Sequence, residues 1–457
     1  MDKMPAYQRE EEPLLQFPPD FLWGSAISAH QTEGGNNNQW TEWEKQPGNI
    51  VDGSVSGRAD DFYHLYEHDL DLAKELGHNT FRFSVEWSRI EPGEGEWNAR
   101  EIEHYRMVLK AIRRRGLEPL ITLHHFTNPI WMEAGGGWPD SRSVELFGRY
   151  TSYLAEKLGD LVGIWTAINE PTAYASMSYM HGKFPPCEKD PSKYGLVLRH
   201  MLLAHAEAYH AIHDVLGKNR TKDAPKVGTV KDMTYFQAFD EESPEDRNEA
   251  ASLHQSYNAS FLDAIDTGRI GPPMGQGELI PTVEDTWDFL GFNYYTRRLV
   301  GERVRNHPNK STAPPRKDSL GETDMGWEIY PQGIYELLKW LKSYGKPIYI
   351  TENGTAVHDD KIRSMFIVLH LEQVHRAITE LGADVRAYYY WSLMDNFEWN
   401  SGFNKRFGLV EVDYKTLKRK SRPSAYVYRD IIMNNGITAK TLNEYKKHAA
   451  TLVGNKH

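Results

Sequence analysis

A chain of 457 residues with 40% apolar residues and 12% aromatics can bury a large core, which excludes a disordered chain. A formal net charge of −11 with no long basic run excludes nucleic acid and anionic membrane as natural partners. The single cysteine, Cys187, permits no intrachain disulfide and excludes a disulfide-stapled secreted scaffold.

The first residues, MDKMPAYQREEEPLLQF, lack an apolar leader segment and carry three consecutive acids. No run of about 18 apolar residues follows, so no membrane span is expected and the expected address is cytoplasmic. FLWGSA (21–26) then opens a series of short apolar, β-rich runs separated by helical patterns. In 60–76, Phe62, Leu65, Tyr66, Leu70, Ala73 and Leu76 fall mostly three or four apart, which predicts a helix before the run NTFRFSVEW (79–87). A helix over 99–115, with Ile102, Tyr105, Leu109 and Ile112 on one face, precedes EPLITLHH (118–125). The helical stretch 142–158 precedes GIWTAINE (163–170), and one near 194–216 precedes KVGTVKDMTYF (226–236). Another near 244–267 precedes DFLGFNYYT (288–296), and 331–343 precedes PIYITENG (347–354). The stretch 361–381 precedes VRAYYYWSL (385–393), and a last helix fits 422–434.

Eight strands that alternate with helices, several of them apolar along their whole length, predict an α/β fold with a parallel sheet covered by helices. The count of eight points to one closed (β/α)8 barrel. A doubly wound sheet would want a glycine-rich phosphate loop, and neither G-x-G-x-x-G nor G-x-x-x-x-G-K-S/T occurs. The expected division is a flexible N-terminal arm (1–16), the barrel domain (17–436) and a basic C-terminal tail (437–457). The length beyond an ordinary barrel falls into loops after strands, at 27–59, 171–193, 297–330 and 394–421, where barrels build their sites.

Two of these runs end on a carboxylate: AINEP (167–171) on Glu170 and ITENG (350–354) on Glu352. Pro171 is expected to hold Glu170 in extended backbone, and Gly354 to turn the chain. A lone glutamate at a strand end is as readily a salt bridge or a solvated rim. A pair at two strand ends of one barrel, with Asn169 adjacent, points to glycoside hydrolysis, in which one carboxyl protonates the leaving oxygen and the other attacks or activates water.

Several of the 13 tryptophans, among them Trp327, Trp391 and Trp399, stand beside polar residues near strand ends. Indole stacks on the C–H face of a sugar while fixed polar groups meet its hydroxyls. Core packing is the plainer reading for any one of them. His124 and His125 are adjacent on a strand and face opposite ways, so no shared metal is expected. No H-E-x-x-H, C-x-x-C or G-x-S-x-G occurs either, and neither metal nor cofactor is expected.

The ordered segments FLWGSAISAHQTEG, FRFSVEWSRIEP, WTAINEP, DFLGFNYYT, MGWEIYP, YITENG and WSLMDNFEWNSGFNKRFGLVEVD resemble glycoside hydrolase family 1, the β-glucosidase-like retaining β-glycosidases, over roughly 17–436. The resemblance implies a TIM barrel that removes non-reducing terminal β-D-glucosyl residues, and also β-D-fucosyl or β-D-galactosyl ones, by double displacement. The implied substrates are cellobiose-like oligosaccharides and aryl or alkyl β-glucosides, which places the chain in carbohydrate metabolism and cellulose breakdown. It implies Glu170 as acid/base and Glu352 as nucleophile. Arg82 and Tyr295 match the pair that holds the nucleophile, Asn169 the 2-hydroxyl contact, and Asn293 a pocket residue near the acid/base. Gln31, His125, Glu398 and Trp399 match residues that bind the outer hydroxyls. Trp391 matches the stacking floor, Phe407 a wall, and Trp327 the aromatic beside the leaving group. A non-proline cis peptide is implied at Trp391-Ser392. Phe126 departs from the family, standing where a tryptophan usually donates an N–H to the glycone; a neutral hydrogen bond is worth about 0.5–1.5 kcal/mol. The alternatives are a 6-phospho-β-glycosidase, disfavoured by Glu398 and Trp399 in place of a phosphate clamp, and a non-catalytic sugar-binding barrel, which would be expected to lose a carboxylate.

Overall fold

Eight parallel strands close into a barrel in the computed structural model, which describes residues 11–217, 224–306 and 318–454. They are β1 (Leu22–Ala26), β2 (Thr80–Ser84), β3 (Glu118–His124), β4 (Ile164–Asn169), β5 (Lys226–Ala238), β6 (Phe289–Val300), β7 (Ile348–Asn353) and β8 (Val385–Trp391). Each pairs with its neighbour in sequence, and β8 pairs with β1 to complete the ring. Sequential parallel pairing is the (β/α)8 arrangement predicted from the alternation of runs.

The helices follow from their apolar spacing. Ile102, Tyr105, Leu109 and Ile112 are all buried on the inner face of Ala99–Arg114, and Asn98 caps that helix by accepting from Glu101 N. Arg142–Leu158 and Gln332–Leu341 bury their apolar stripes in the same way. The predicted 244–267 helix is broken: Pro244–Leu253 passes through a π-helical turn, His254–Ala259, into Ser260–Thr267.

The barrel interior has two characters. Its floor is apolar, with Leu120, Ile164, Phe289, Tyr349, Ala387 and Tyr389 packed together. Above them, Arg82, Thr122, Thr166 and Thr351 are buried and polar. Strand register stacks the layers, because Leu120 pairs with Ile164 and Thr122 with Thr166. The polar layer sits at the C-terminal ends of the strands, where a barrel carries its site.

One expectation about the ends is corrected. Pro13–Gln16 is a strand paired antiparallel with Gly436–Thr438, so the expected arm is anchored from residue 13; residues 1–10 lie outside the described residues. The expected tail docks as a helix, Ala439–Gly454, that buries Leu442 and Tyr445 and pairs Lys446 with Glu372. Tail charges hid an amphipathic face. No described helix is long and apolar enough to cross a membrane.

Candidate active site

Glu352 lies in β7 and Glu170 follows the last residue of β4. Both line one cavity of about 820 Å³ at the C-terminal mouth of the barrel.

Glu170 is not extended. Its φ of 48° and ψ of 58° are left-handed. Its N–H donates to the Val230 carbonyl at 2.8 Å, and its carbonyl accepts from Tyr174 N at 3.0 Å. Pro171 is the first residue of the helix Pro171–Ala175, where its missing N–H is harmless. The rule for a residue before proline disfavours right-handed helix; this strand-to-helix corner uses the other hand. Such a backbone is strained by about 1–3 kcal/mol and persists where neighbours enforce it.

A connected set of hydrogen bonds joins the two glutamates. Arg82 Nη1 donates to Glu352 Oε1 at 2.5 Å, and Tyr295 Oη donates to Glu352 Oε2 at 2.5 Å. Arg82 Nη2 donates to Asn169 Oδ1 at 2.7 Å. Asn293 Nδ2 donates to Glu170 Oε1 at 2.7 Å and reaches Asn169 Oδ1 at 3.4 Å. Asn293 is itself fixed, its Oδ1 accepting from Thr351 Oγ1 at 2.7 Å.

The two carboxyl groups meet different surroundings. Burial, the negative charge of Glu352 and then Asp232 push Glu170 well above the usual carboxylate range, against Asn293 and Lys231. Glu352 has hydrogen-bond donors on both oxygens, one of them cationic. Burial and Glu352 push Glu398 up to about 8, so near neutral pH its carboxyl can donate as well as accept. Burial, with Arg82 and His124, holds His125 well below its ordinary value, so its ring is neutral.

The predicted binding residues mostly converge. His125, Phe126, Trp327, Trp391, Glu398, Trp399 and Phe407 all line the cavity. The His125 ring lies nearly parallel to Trp391 and Trp399, with centroids 6.0 and 6.1 Å apart. Trp327 packs against Tyr295 and Phe407 on another wall. Gln31, Arg82 and Asn293 stand behind the wall; Gln31 Nε2 donates to the Phe397 carbonyl at 2.9 Å and approaches Glu398 at 3.5 Å. Phe126 has a φ of 70° and turns its carbonyl to Gln39 Nε2 and Trp40 Nε1, while its ring packs on Trp399 and Phe184. The Trp391-Ser392 peptide is cis. As expected of neighbours on a strand, His124 points away, bonding Asn128 at 2.8 Å and packing on Trp138. Among the described residues no group of three or more His, Cys, Asp or Glu could hold a metal.

Sequence reasoning missed an outer rim built from Met177, Met180, Phe236 and Pro272, and a charged pair, Lys231 and Asp232. The rim comes from the helical segment Ser176–Met180, the end of β5 and the loop at Pro272, whose meeting no local pattern announces.

A barrel with two strand-end glutamates in one aromatic-lined cavity is the architecture of a glycoside hydrolase. The sequence profile of Glycosyl hydrolase family 1 matches residues 14–437, and the chain belongs to that family. It is 34% identical to β-glucosidase A of Acetivibrio thermocellus, over 92% of this chain and 99% of that protein. It is 31% identical to a β-galactosidase of Pyrococcus woesei, over 94% of this chain and 99% of that one. Among solved structures it resembles a β-glycosidase from Pyrococcus horikoshii, with a TM-score of 0.84 and 39% identity over 95% of this chain and 98% of that one. A β-glucosidase from Thermotoga maritima in complex with glucoimidazole gives a TM-score of 0.84 at 32% identity, over 93% of this chain and all of that one.

Proposed function

We propose that this chain is a retaining β-glucosidase that removes non-reducing terminal β-D-glucosyl residues from short oligosaccharides and from aryl or alkyl glucosides. The observation that carries the reading is the pair of glutamates on one cavity, joined through Arg82, Asn169 and Asn293 yet placed in unlike electrostatic settings. Glu352, oriented by Arg82 and Tyr295, attacks the anomeric carbon. Glu170, kept protonated by burial and by the charge opposite, gives its proton to the departing oxygen. Once the glycosyl ester forms, the charge of Glu352 is gone and Glu170 loses a main reason to hold a proton. It then takes one from water, which attacks the same carbon and regenerates Glu352. Asn169 meets the 2-hydroxyl in this reading. His125, Trp391, Glu398 and Trp399 enclose the glycone, with Gln31 behind them, and Trp327 and Phe407 flank the leaving group. Phe126 offers the cavity an aromatic ring and no donor, which bears on the order of glucoside, galactoside and fucoside.

Release of nitrophenol from aryl β-glucoside, β-galactoside, β-fucoside and 6-phospho-β-glucoside tests the reading, with Glu352→Ala alongside. Neutral β-glucoside turnover that the variant loses is expected, with the β-anomer of glucose appearing first by proton NMR. An α-anomer first, or faster 6-phosphoglucoside turnover, overturns it.

A further inference from the structure

A second charged group stands beside Glu170. Lys231, on β5, is fully buried, and it follows Val230, whose carbonyl accepts the Glu170 N–H. Its Nζ donates to Asp232 Oδ1 at 2.8 Å and to the Asp232 carbonyl. Asp232 shares the cavity wall with Glu170, and in strand register it pairs with Asn293, whose amide donates to Glu170. Tyr257 completes the group. It lies in the π-helical turn His254–Ala259, donates its hydroxyl to Asp232 Oδ2, and sets its ring 4.5 Å from the Lys231 ammonium. A π turn is rare and often marks a functional site. A buried ion pair contributes little net stability compared with apolar residues of the same shape, so stability alone gives no reason for a lysine here.

We propose that Lys231 is a positioning residue for the proton donor: it cancels the charge of Asp232, and Tyr257 locks that pair beside Glu170. The inference rests on the reading of Glu170 as acid/base. That residue must give a proton in one step and take one in the next, so its affinity for the proton must be neither too high nor too low. Asp232 unpaired would add its negative charge to that of Glu352. The lysine unpaired would draw the proton off. Together they leave Glu352 as the main charge that Glu170 feels. The groups facing Glu170 are Glu352 from β7, Asn293 and Tyr295 from β6, Lys231 and Asp232 from β5, and Tyr257. His181 and Arg298 share the cavity wall, and Arg82 connects to Glu170 through Asn169 and Asn293.

The test is the pH profile of kcat/KM on a nitrophenyl β-glucoside, measured with the full chain. Glu170→Gln comes first. Loss of the alkaline limb in that variant assigns the limb to Glu170; a limb that persists sinks the acid/base reading itself, separately from this inference. Lys231→Met is then expected to move the limb to higher pH, and Asp232→Asn to lower pH, each by on the order of one unit. The double variant should return toward the wild-type position. Limbs that stay in place, or that move the same way in both single variants, overturn the proposal, because a purely structural pair would lower activity without opposed shifts. If Lys231→Met fails to fold, the sign in the nearly isosteric Asp232→Asn decides alone.

Discussion

A carboxyl group can act as an acid only where its surroundings keep the proton on it. At Glu170 that task falls to burial and to Glu352, with Asn293 opposing. A leaving alkoxide needs the proton far more than a leaving nitrophenolate does. Glu170→Ala should therefore lose on the order of 10²–10⁴-fold in kcat/KM on cellobiose and much less on a nitrophenyl glucoside, which parallel assays of the two substrates measure. Equal losses on both would argue that the side chain only shapes the cavity. The sign of the pH dependence follows as well. Activity should fall as pH rises through the folded-state pKa of Glu170, and that fall should vanish in the variant. Glu170 and Glu352 were legible in the sequence because each ends an apolar run. The left-handed backbone of Glu170 was not, since it depends on Val230 across the sheet. Lys231 was hidden for a similar reason: Tyr257 and Asp232 are 25 residues apart in sequence.

At the level of elements, the apolar runs placed all eight strands, because a barrel strand is buried on both faces and reads as an unbroken apolar segment. Only the last residues of two strands escaped, Gln237–Ala238 of β5 and Arg297–Val300 of β6, since these ends pair with each other beyond the barrel and carry polar residues. Gly354 shows how an element's end can be misread. The expectation was a turn-making glycine, yet its φ is not left-handed. What requires glycine is contact: a Cβ there would stand 1.7 Å from the Trp391 carbonyl oxygen at the end of β8. Gly354→Ala must separate β7 from β8, and with them Glu352 from Trp391. The expected result is a destabilisation of about 1–3 kcal/mol or more, with loss of glucoside turnover. Gly271, where an added Cβ meets nothing within 4 Å, is the control, and Gly271→Ala should leave both thermal unfolding and turnover near wild type.

Across the whole molecule, one buried charge cluster ties the outer elements together. Asp69, on the helix Phe62–Glu75, pairs with Arg419 on the hairpin strand Lys418–Ser421, both contacts at 2.9 Å. Asp395, after β8, pairs with Arg406 and Arg422. Asp60 lies among them, fully buried, and neither of its side-chain oxygens has a hydrogen-bond partner among the described residues. Burial, followed by the charges of Asp69 and Asp395, pushes its pKa well above the ordinary 3.8, although Arg419 opposes. The folded protein therefore holds a proton there that the unfolded chain releases. For an acid raised in this way the stabilising contribution is complete below the unfolded pKa and is lost as pH rises through the folded one. Asp60→Asn keeps the shape and removes the titration. Its melting temperature should stay close to wild type in acid and exceed it increasingly as pH rises, which thermal unfolding across a pH series measures. A constant offset between the two proteins at every pH would mean that folding does not raise the Asp60 pKa, the charge of Arg419 offsetting its burial.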